Sequence, residues 1–275
     1  MISNIPNLSI ECLFLGNELL IGRTINTNLV WLGKEISRRG LEIFRTTTCR
    51  DKEIEIITAI KEILSRKPKF LIITGGLGPT FDDIQLECLA KAIDEPLIQL
   101  EEALIQIEAK YTKFGLLLTE ERKKMALFPK GAKPLPNSIG TAPGSLYNYM
   151  DSTHIISLPG VPKEMKAIMN DHIFKMMEKE VAELGLKMFE LGFELLNVPE
   201  SSLAPLLLVF TKKYPELKFK SHPLGEEGKS KISIHVYTIS ETSEVLNEAI
   251  ENLRNQIIVK FPKSQTTEIQ SVLFK

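Results

Sequence analysis

The first part of this chain of 275 residues is predicted to have an α/β fold. In this fold a mostly parallel sheet is covered on both faces by helices, which makes three layers. Short apolar runs alternate there with segments of helical period, the pattern of a parallel sheet with crossover helices. Beyond Gly185 the order changes, and strand-type and helical segments predict a small separate α+β unit. A glycine-rich segment after the third strand predicts a functional site at one edge of the sheet.

The first predicted domain contains five strands and six helices. Ile54, Ile57, Ile60 and Leu64 are expected to share one face of the second helix. A stretch rich in Pro, Gly and Asn, 127–144, predicts an ordered loop. The predicted strands are 10–15, 41–49, 70–73, 146–149 and 154–157, and the predicted helices are 29–36, 53–64, 83–92, 100–111, 119–126 and 162–184.

The second predicted unit combines strands with two helices. Its strands are 188–196, 217–220, 231–238 and 257–261, and its helices are 201–213 and 243–256. We therefore divide the chain into a first domain (1–172), a connecting helix (173–185), a second domain (186–265) and a tail (266–275).

The charge balance, the cysteine content and the hydropathy of the sequence disfavour some classes of function. Lys and Arg number 34 against 35 Asp and Glu, so the net charge of −1 disfavours a nucleic-acid partner. The G-x-x-G spelling at Gly225 encloses two glutamates, which would repel phosphate. Three scattered cysteines, with no leader-type N-terminus and no apolar run of membrane-spanning length, predict a cytoplasmic protein without membrane contact.

The glycine-rich segment is FLIITGGLGPTFDD, residues 70–83. Gly75, Gly76 and Gly78 allow positive φ and a close approach of the backbone to an anion. Asp82 and Asp83 follow, where a carboxylate either caps the next helix or holds a divalent cation. A tight turn with an Asp N-cap explains the same residues, and the segment matches neither the Walker loop nor G-x-G-x-x-G.

Other loops are expected at the same edge. Gly16–Leu20 follows the first strand and Asp51 follows the second, and parallel strands place both at the carboxyl edge where α/β folds bind ligands. Two further loops rich in Gly and Pro, 137–144 and 158–162, complete the set.

Four segments together resemble the N-terminal domain of the CinA family, related to the molybdopterin-binding proteins MogA and MoeA. They are GNELLIGRTINTN (16–28), TGGLGPTFDD (74–83), NSIGTAPG (137–144) and LPGVPKEM (158–165). The resemblance implies a three-layer molybdopterin-binding-type fold. The unit after Gly185, with VPESSLA (198–204), is similar to the KH-like domain of CinA, and the amidase domain of CinA is expected to have no counterpart.

For CinA-like members the resemblance implies metal-dependent hydrolysis of ADP-ribose to AMP and ribose 5-phosphate. It assigns catalysis to Asp83 and Asp51, and metal binding to these two with Asp82 and Glu18. The implied cofactor is a divalent ion (Mg, Mn or Co), with a monovalent cation as a possible addition, and a homo-oligomer is expected. The implied substrate- or phosphate-binding residues are Asn17, Glu18, Asn28, Thr74, Gly75, Gly76, Leu77, Gly78, Asn137, Gly140, Thr141, Pro159 and Gly160.

Two readings of this site stay open. The first is a pyrophosphatase acting on ADP-ribose or a related dinucleotide, and the second is pterin binding in molybdenum cofactor biosynthesis, because both require a phosphate cradle beside carboxylates. The chain departs from the CinA pattern at Asn17, where Thr is usual, and at Glu121, where many members have Asn. Arg122–Lys124 is typical of a solvated helix face, and a role toward substrate phosphate is left open.

Overall fold

The computed structural model describes residues 8–39, 41–183, 185, 187–224 and 230–269. Gly40, where the sequence pattern of the helix predicted at 29–36 stops, and the G-x-x-G segment that begins at Gly225 lie outside these residues. The chain forms two compact units, one of Asn7–Gly33 with Glu42–Lys179, and the other of Lys34–Leu41 with the residues from Glu180 onward. The second unit thus includes a short segment from the first third of the chain.

A six-stranded sheet forms the centre of the first unit. Its order is β2-β1-β3-β8-β7-β6, with β1, β2, β3 and β8 mutually parallel and β7 and β6 antiparallel. Every residue of β1 and β3 is buried, because helices cover both faces. The predicted α/β fold is confirmed. The strands are β1 (Ile10–Leu15), β2 (Ile43–Cys49), β3 (Phe70–Thr74), β6 (Lys133–Leu135), β7 (Gly144–Tyr149) and β8 (Thr153–Leu158).

The remaining elements of this unit are helices and one short strand pair, β4 with β5, which pair antiparallel. They are α1 (Asn17–Leu20), α2 (Thr27–Arg38), α3 (Glu53–Ser65), α4 (Gln85–Ala92), β4 (Leu97–Gln99), α5 (Glu101–Lys113), α6 (Glu120–Lys123), β5 (Leu127–Pro129), α7 (Pro162–Ile168) and α8 (Phe174–Glu183).

The face that α3 buries matches the predicted one only in part, and Ile57 of that face is partly buried against the core. Ile60 and Leu64 are buried as expected, but Ile54 is 71% exposed, and Ile56 and Ile63 enter the core instead. The helix has apolar residues on more than one side, so the sequence period alone did not select the face that packs on the sheet.

Two predicted segments of this unit are more complex than expected. The loop at 127–144 contains β5 and β6, which are too short to show an alternating pattern. The helix predicted at 162–184 is interrupted between α7 and α8 by a π-helical turn, Met169–Ile173. The strands predicted at 146–149 and 154–157 do form a hairpin, with Met150 and Asp151 at positive φ in its turn.

The second unit is an antiparallel sheet in the order β10-β11-β9-β12, with α9 and α10. Its core contains Phe193, Phe210, Ile234 and Leu253, all nearly without exposure. This agrees with the predicted α+β class, and the KH-like assignment stays a prediction. The elements are β9 (Lys187–Leu196), α9 (Glu200–Lys213), β10 (Lys218–Pro223), β11 (Lys231–Ser240), α10 (Glu244–Lys260) and β12 (Gln265–Ile269).

The end of this unit corrects the sequence prediction. The segment predicted as a strand at 257–261 is mostly the last turn of α10, and the strand β12 lies in the segment assigned to the end of the domain and the tail. Ile257 is fully buried four residues after Leu253, and so continues the helical core spacing. Tertiary packing overrides the strand preference of the β-branched run. In the part of the chain that the structure describes, no helix is both long and apolar enough to cross a bilayer.

Candidate functional site

The candidate site lies at the carboxyl edge of the parallel strands. The segments that leave β1, β2, β3 and β8 there begin at Gly16, Arg50, Gly75 and Pro159. Because the four strands are parallel neighbours in the sheet, these segments share one rim, as the sequence predicts.

The backbone at Gly75 brings three of these strand ends into contact. Its N–H donates to the Leu158 carbonyl oxygen at 3.1 Å, and a Cβ added at Gly75 would lie 2.5 Å from the Leu15 carbonyl oxygen. A Cβ added at Gly160 would lie 3.3 Å from the Cα of Gly75. With φ at 103°, Gly75 is therefore required both by its conformation and by the space.

We expect Gly75→Ala to lower the free energy of unfolding by at least about 2 kcal/mol, since it combines a positive φ with a clash against backbone. Gly33→Ala is the matched control, because Gly33 lies inside α2 with nothing within 4 Å of an added Cβ. The control should be neutral or stabilising by up to about 1 kcal/mol. Urea unfolding measures both, and equal stability of the two variants would contradict the role assigned to Gly75.

The glycine segment presents three adjacent backbone N–H groups. Those of Gly76, Leu77 and Gly78 donate to no other described residue, although all three residues are at least partly buried. Such groups need a partner, and consecutive N–H groups around a residue in the left-handed region form an anion-binding nest. Gly76 has φ of 73°. The N–H of Gly75 is already used, and the Leu77 side chain is buried in the core, so Leu77 can offer a ligand only its backbone.

The two aspartates that end this segment are fixed by Thr80. One Asp83 carboxylate oxygen accepts from the Thr80 N–H at 2.9 Å and from the Thr80 hydroxyl at 2.6 Å, and the same hydroxyl contacts Asp82. The helix α4 begins only at Gln85, without a side-chain cap, so the alternative of an Asp N-cap is wrong. An added Cβ at Gly78 would lie 2.5 Å from Asp83 Oδ2, which places this carboxylate beside the N–H groups.

Asp51 carries the clearest electrostatic signal at the rim. One of its oxygens accepts from both the backbone N–H and the side-chain amide of Asn17, each at 2.9 Å. Burial raises the pKa of Asp51, and the nearby charges of Glu18 and Asp82 raise it further, against the lowering effect of the Asn17 N–H. The charges of Glu18 and Asp82, from two other segments of the rim, thus act on Asp51.

This donor set suits a hard divalent cation, which prefers oxygen ligands and would offset the repulsion between the carboxylates. Asp51, Glu18 and Asp82 would hold it, with Asp83 alongside. Among the described residues, no three His, Cys, Asp or Glu side chains are already drawn together as a metal-binding cluster.

We expect Asp51→Asn to raise the Tm at pH 7, because the change removes a partly buried charge that faces two others. The folded-state pKa of Asp51 is raised, so wild-type stability falls as the pH rises through it. The gain should therefore be present at neutral pH and shrink as the pH falls below ~4, where Asp51 becomes protonated in the unfolded state as well as in the folded one. Thermal melts across this range check the sign, and a lower Tm at pH 7 would contradict it.

Asn28 connects α2 to the loop after β8. Its side-chain amide donates to the Gly160 carbonyl oxygen at 2.9 Å, while its own oxygen is buried without a partner among the described residues. An orphaned acceptor of this kind is filled by water or a ligand donor. Thr74 and Pro159 are buried at the ends of their strands and shape the rim rather than project from it.

Hydrogen bonds within the loop at 137–144, and to two residues outside it, fix its conformation. The Asn137 oxygen accepts from the Gly140 N–H at 2.7 Å, and its amide donates to the Ala142 carbonyl at 2.8 Å and to Glu164 at 2.7 Å. Lys110, which the sequence did not indicate, donates to the carbonyls of Asn137 and Gly140. Asn137 and Gly140 therefore organise the loop, and Thr141, half-buried, lies on it.

Lys124 is a further residue that sequence reasoning did not assign to the site. Its ammonium donates to the Thr80 carbonyl oxygen at 2.8 Å. Its basic neighbours are engaged elsewhere, since Arg122 stacks 4.2 Å from the Tyr111 ring and Lys123 pairs with Glu120 at 2.8 Å. Nothing in the spacing of three consecutive basic residues distinguishes the one that reaches the glycine segment.

These features define an α/β domain with carboxylates, and with backbone N–H groups that have no partner among the described residues, at the ends of its parallel strands. The family described as a probable molybdopterin binding domain matches residues 11–179, more than half of the chain, and the chain belongs to this family. The crystal structure of CinA from Thermoplasma acidophilum, a protein of unknown function, is similar, with 38% sequence identity and a TM-score of 0.56. The similarity covers 64% of this chain and 98% of that one. The resemblance to the CinA N-terminal domain is confirmed.

Two relatives extend over most of the sequence. A protein of Sulfurisphaera tokodaii is 39% identical over 262 residues, which are 95% of this chain and 98% of the relative. A protein of Aeropyrum pernix is 40% identical over 247 residues, 88% of this chain and 91% of the relative. The similarity therefore includes the second unit as well as the family domain.

Proposed function

We propose that this chain binds a pyrophosphate-bearing nucleotide at the rim and, with a divalent metal ion, hydrolyses it, with ADP-ribose as the representative substrate. The observation that carries the proposal is that three N–H groups with no partner among the described residues, those of Gly76–Gly78, share one rim with Asp83 and with the carboxylates around Asp51. The N–H groups would hold one phosphate, and the carboxylates mark where positive charge is needed.

Different residues of the rim have different roles in the proposed reaction. The nest orients the pyrophosphate, and Asn28 and the Gly160 backbone limit its position on the β8 side. Asp83, fixed by Thr80, and Asp51, fixed by Asn17, would accept hydrogen bonds from an attacking water. Magnesium, manganese or cobalt, when bound, would act as a Lewis acid on the phosphoryl oxygens. Phe81, 92% exposed on the same segment, offers an apolar surface to a heterocycle.

Membership of the molybdopterin-binding family favours a second candidate, the binding of a phosphorylated pterin without hydrolysis. The nest would then hold the terminal phosphate of the pterin. Both candidates require a small anionic ligand at the same rim, and they differ in whether a pyrophosphate bond is cleaved. A homo-oligomer stays a prediction.

The decisive experiment incubates the protein with Mg²⁺, Mn²⁺ or Co²⁺ and ADP-ribose, FAD, NAD or coenzyme A, with release of AMP or of the corresponding nucleoside phosphate followed by chromatography. The pyrophosphatase proposal expects metal-dependent release from at least one of them. Release from none, together with tight binding of a phosphorylated pterin in a fluorescence titration, would favour the second candidate.

We expect Asp83→Asn to reduce turnover at least about 100-fold, since it keeps the side-chain volume but deletes a charge beside the nest. Asp94→Asn is the control, because Asp94 has φ of 57° after α4, a conformation that Asn tolerates well. Steady-state rates at saturating metal measure both. Near wild-type turnover of Asp83→Asn would remove this residue from the catalytic set.

A further inference from the structure

We propose that Lys124 is the residue that holds the phosphate of the ligand against the glycine segment by its positive charge. This inference rests on the proposed binding of a phosphorylated ligand and names a specificity residue for it. Of the three basic residues Arg122–Lys124, Lys124 is the one that donates a hydrogen bond to the glycine segment. The same segment carries the Gly76–Gly78 N–H groups, which have no partner among the described residues.

The placement of Lys124 is fixed by its own turn. It opens a 3₁₀ turn, Lys124–Ala126, in which Met125 and Ala126 are buried in the core. The backbone is therefore anchored, and only the long side chain is free to adjust to a ligand. A lysine on a rigid support approaches an anion with less loss of conformational freedom than one on a mobile loop.

Lys124 also lies beside the nest itself. Together with Gly76, Gly78 and Asp83 it lines a cavity of about 40 Å³, enough for a water but far too small for a nucleotide. A ligand must therefore bind above the cavity, on the rim. There it would meet the three N–H groups on one side and the lysine on the other.

The charge balance of the rim requires such a residue. Glu18, Asp51, Asp82 and Asp83 are all acidic, and a pyrophosphate group brings further negative charge. Lys124 lines the same cavity as Asp83 and so brings a positive charge beside these carboxylates. Its ammonium has three donors, of which Thr80 uses one among the described residues, so two remain for phosphate oxygens.

The test compares Lys124→Met, which keeps the apolar stem, and Lys124→Arg, which keeps the charge, with the control Lys123→Met. Binding of a non-hydrolysable ADP-ribose analogue and of imidodiphosphate is measured by calorimetry with Mg²⁺ at low and at high NaCl. We expect Lys124→Met to weaken the binding of both ligands at least about tenfold. The affinity should also depend less on NaCl concentration, because one charge contact that salt screens is lost. Lys124→Arg should retain most of the affinity, and Lys123→Met should behave as wild type.

Thermal melts separate this role from a merely structural one. Lys124→Met should keep the wild-type Tm within about 2 °C, as only one exposed hydrogen bond is lost. Wild-type affinity and salt dependence in Lys124→Met would overturn the inference, as would a lowered Tm with equal losses in Lys124→Arg. If the unaltered protein binds no phosphorylated ligand, the proposed function fails first, and the role of Lys124 fails with it.

Discussion

The contact of Gly75 with the carbonyl oxygen of Leu15 and with Gly160 is the constraint on which the rim depends. With a side chain at Gly75, the ends of β1 and β3 would have to separate, because the nearest obstacle is the main-chain carbonyl of Leu15, which cannot rotate away. The contact sets where the segment turns after β3. The three N–H groups that follow, and the aspartates fixed by Thr80, take their positions from that turn.

The rim also concentrates like charge at some cost to stability. Glu18, Asp51 and Asp82 come from the segments after three different strands, and their proximity serves no evident purpose in packing. Functional sites commonly retain such strain because a ligand or ion relieves it on binding. The same reasoning explains why Asn17, rather than an apolar residue, holds Asp51. Two N–H groups stabilise the ionised carboxylate that burial and its neighbours disfavour.

Much of this arrangement could be predicted from the sequence. The alternation of apolar runs and helical periods places Gly16, Asp51 and Gly75 at one edge, because parallel strands leave little topological choice. The roles of individual side chains were harder to predict. Whether Asp83 caps a helix or closes a turn with Thr80 depends on where α4 begins, and the direction of Lys124 depends on the burial of Met125. The burial of Ile257 in a helix was likewise decided by packing against the second sheet.

We infer that the N–H groups of Gly76–Gly78 and the carboxylates around Asp51 form one ligand site. A crystal structure with Mn²⁺ and a non-hydrolysable ADP-ribose analogue, with the metal located by anomalous scattering, tests it most directly. The account expects a phosphate over Gly76–Gly78 and the metal among Asp51, Glu18, Asp82 and Asp83. A ligand bound away from the glycine segment, or a metal on other residues, would contradict it.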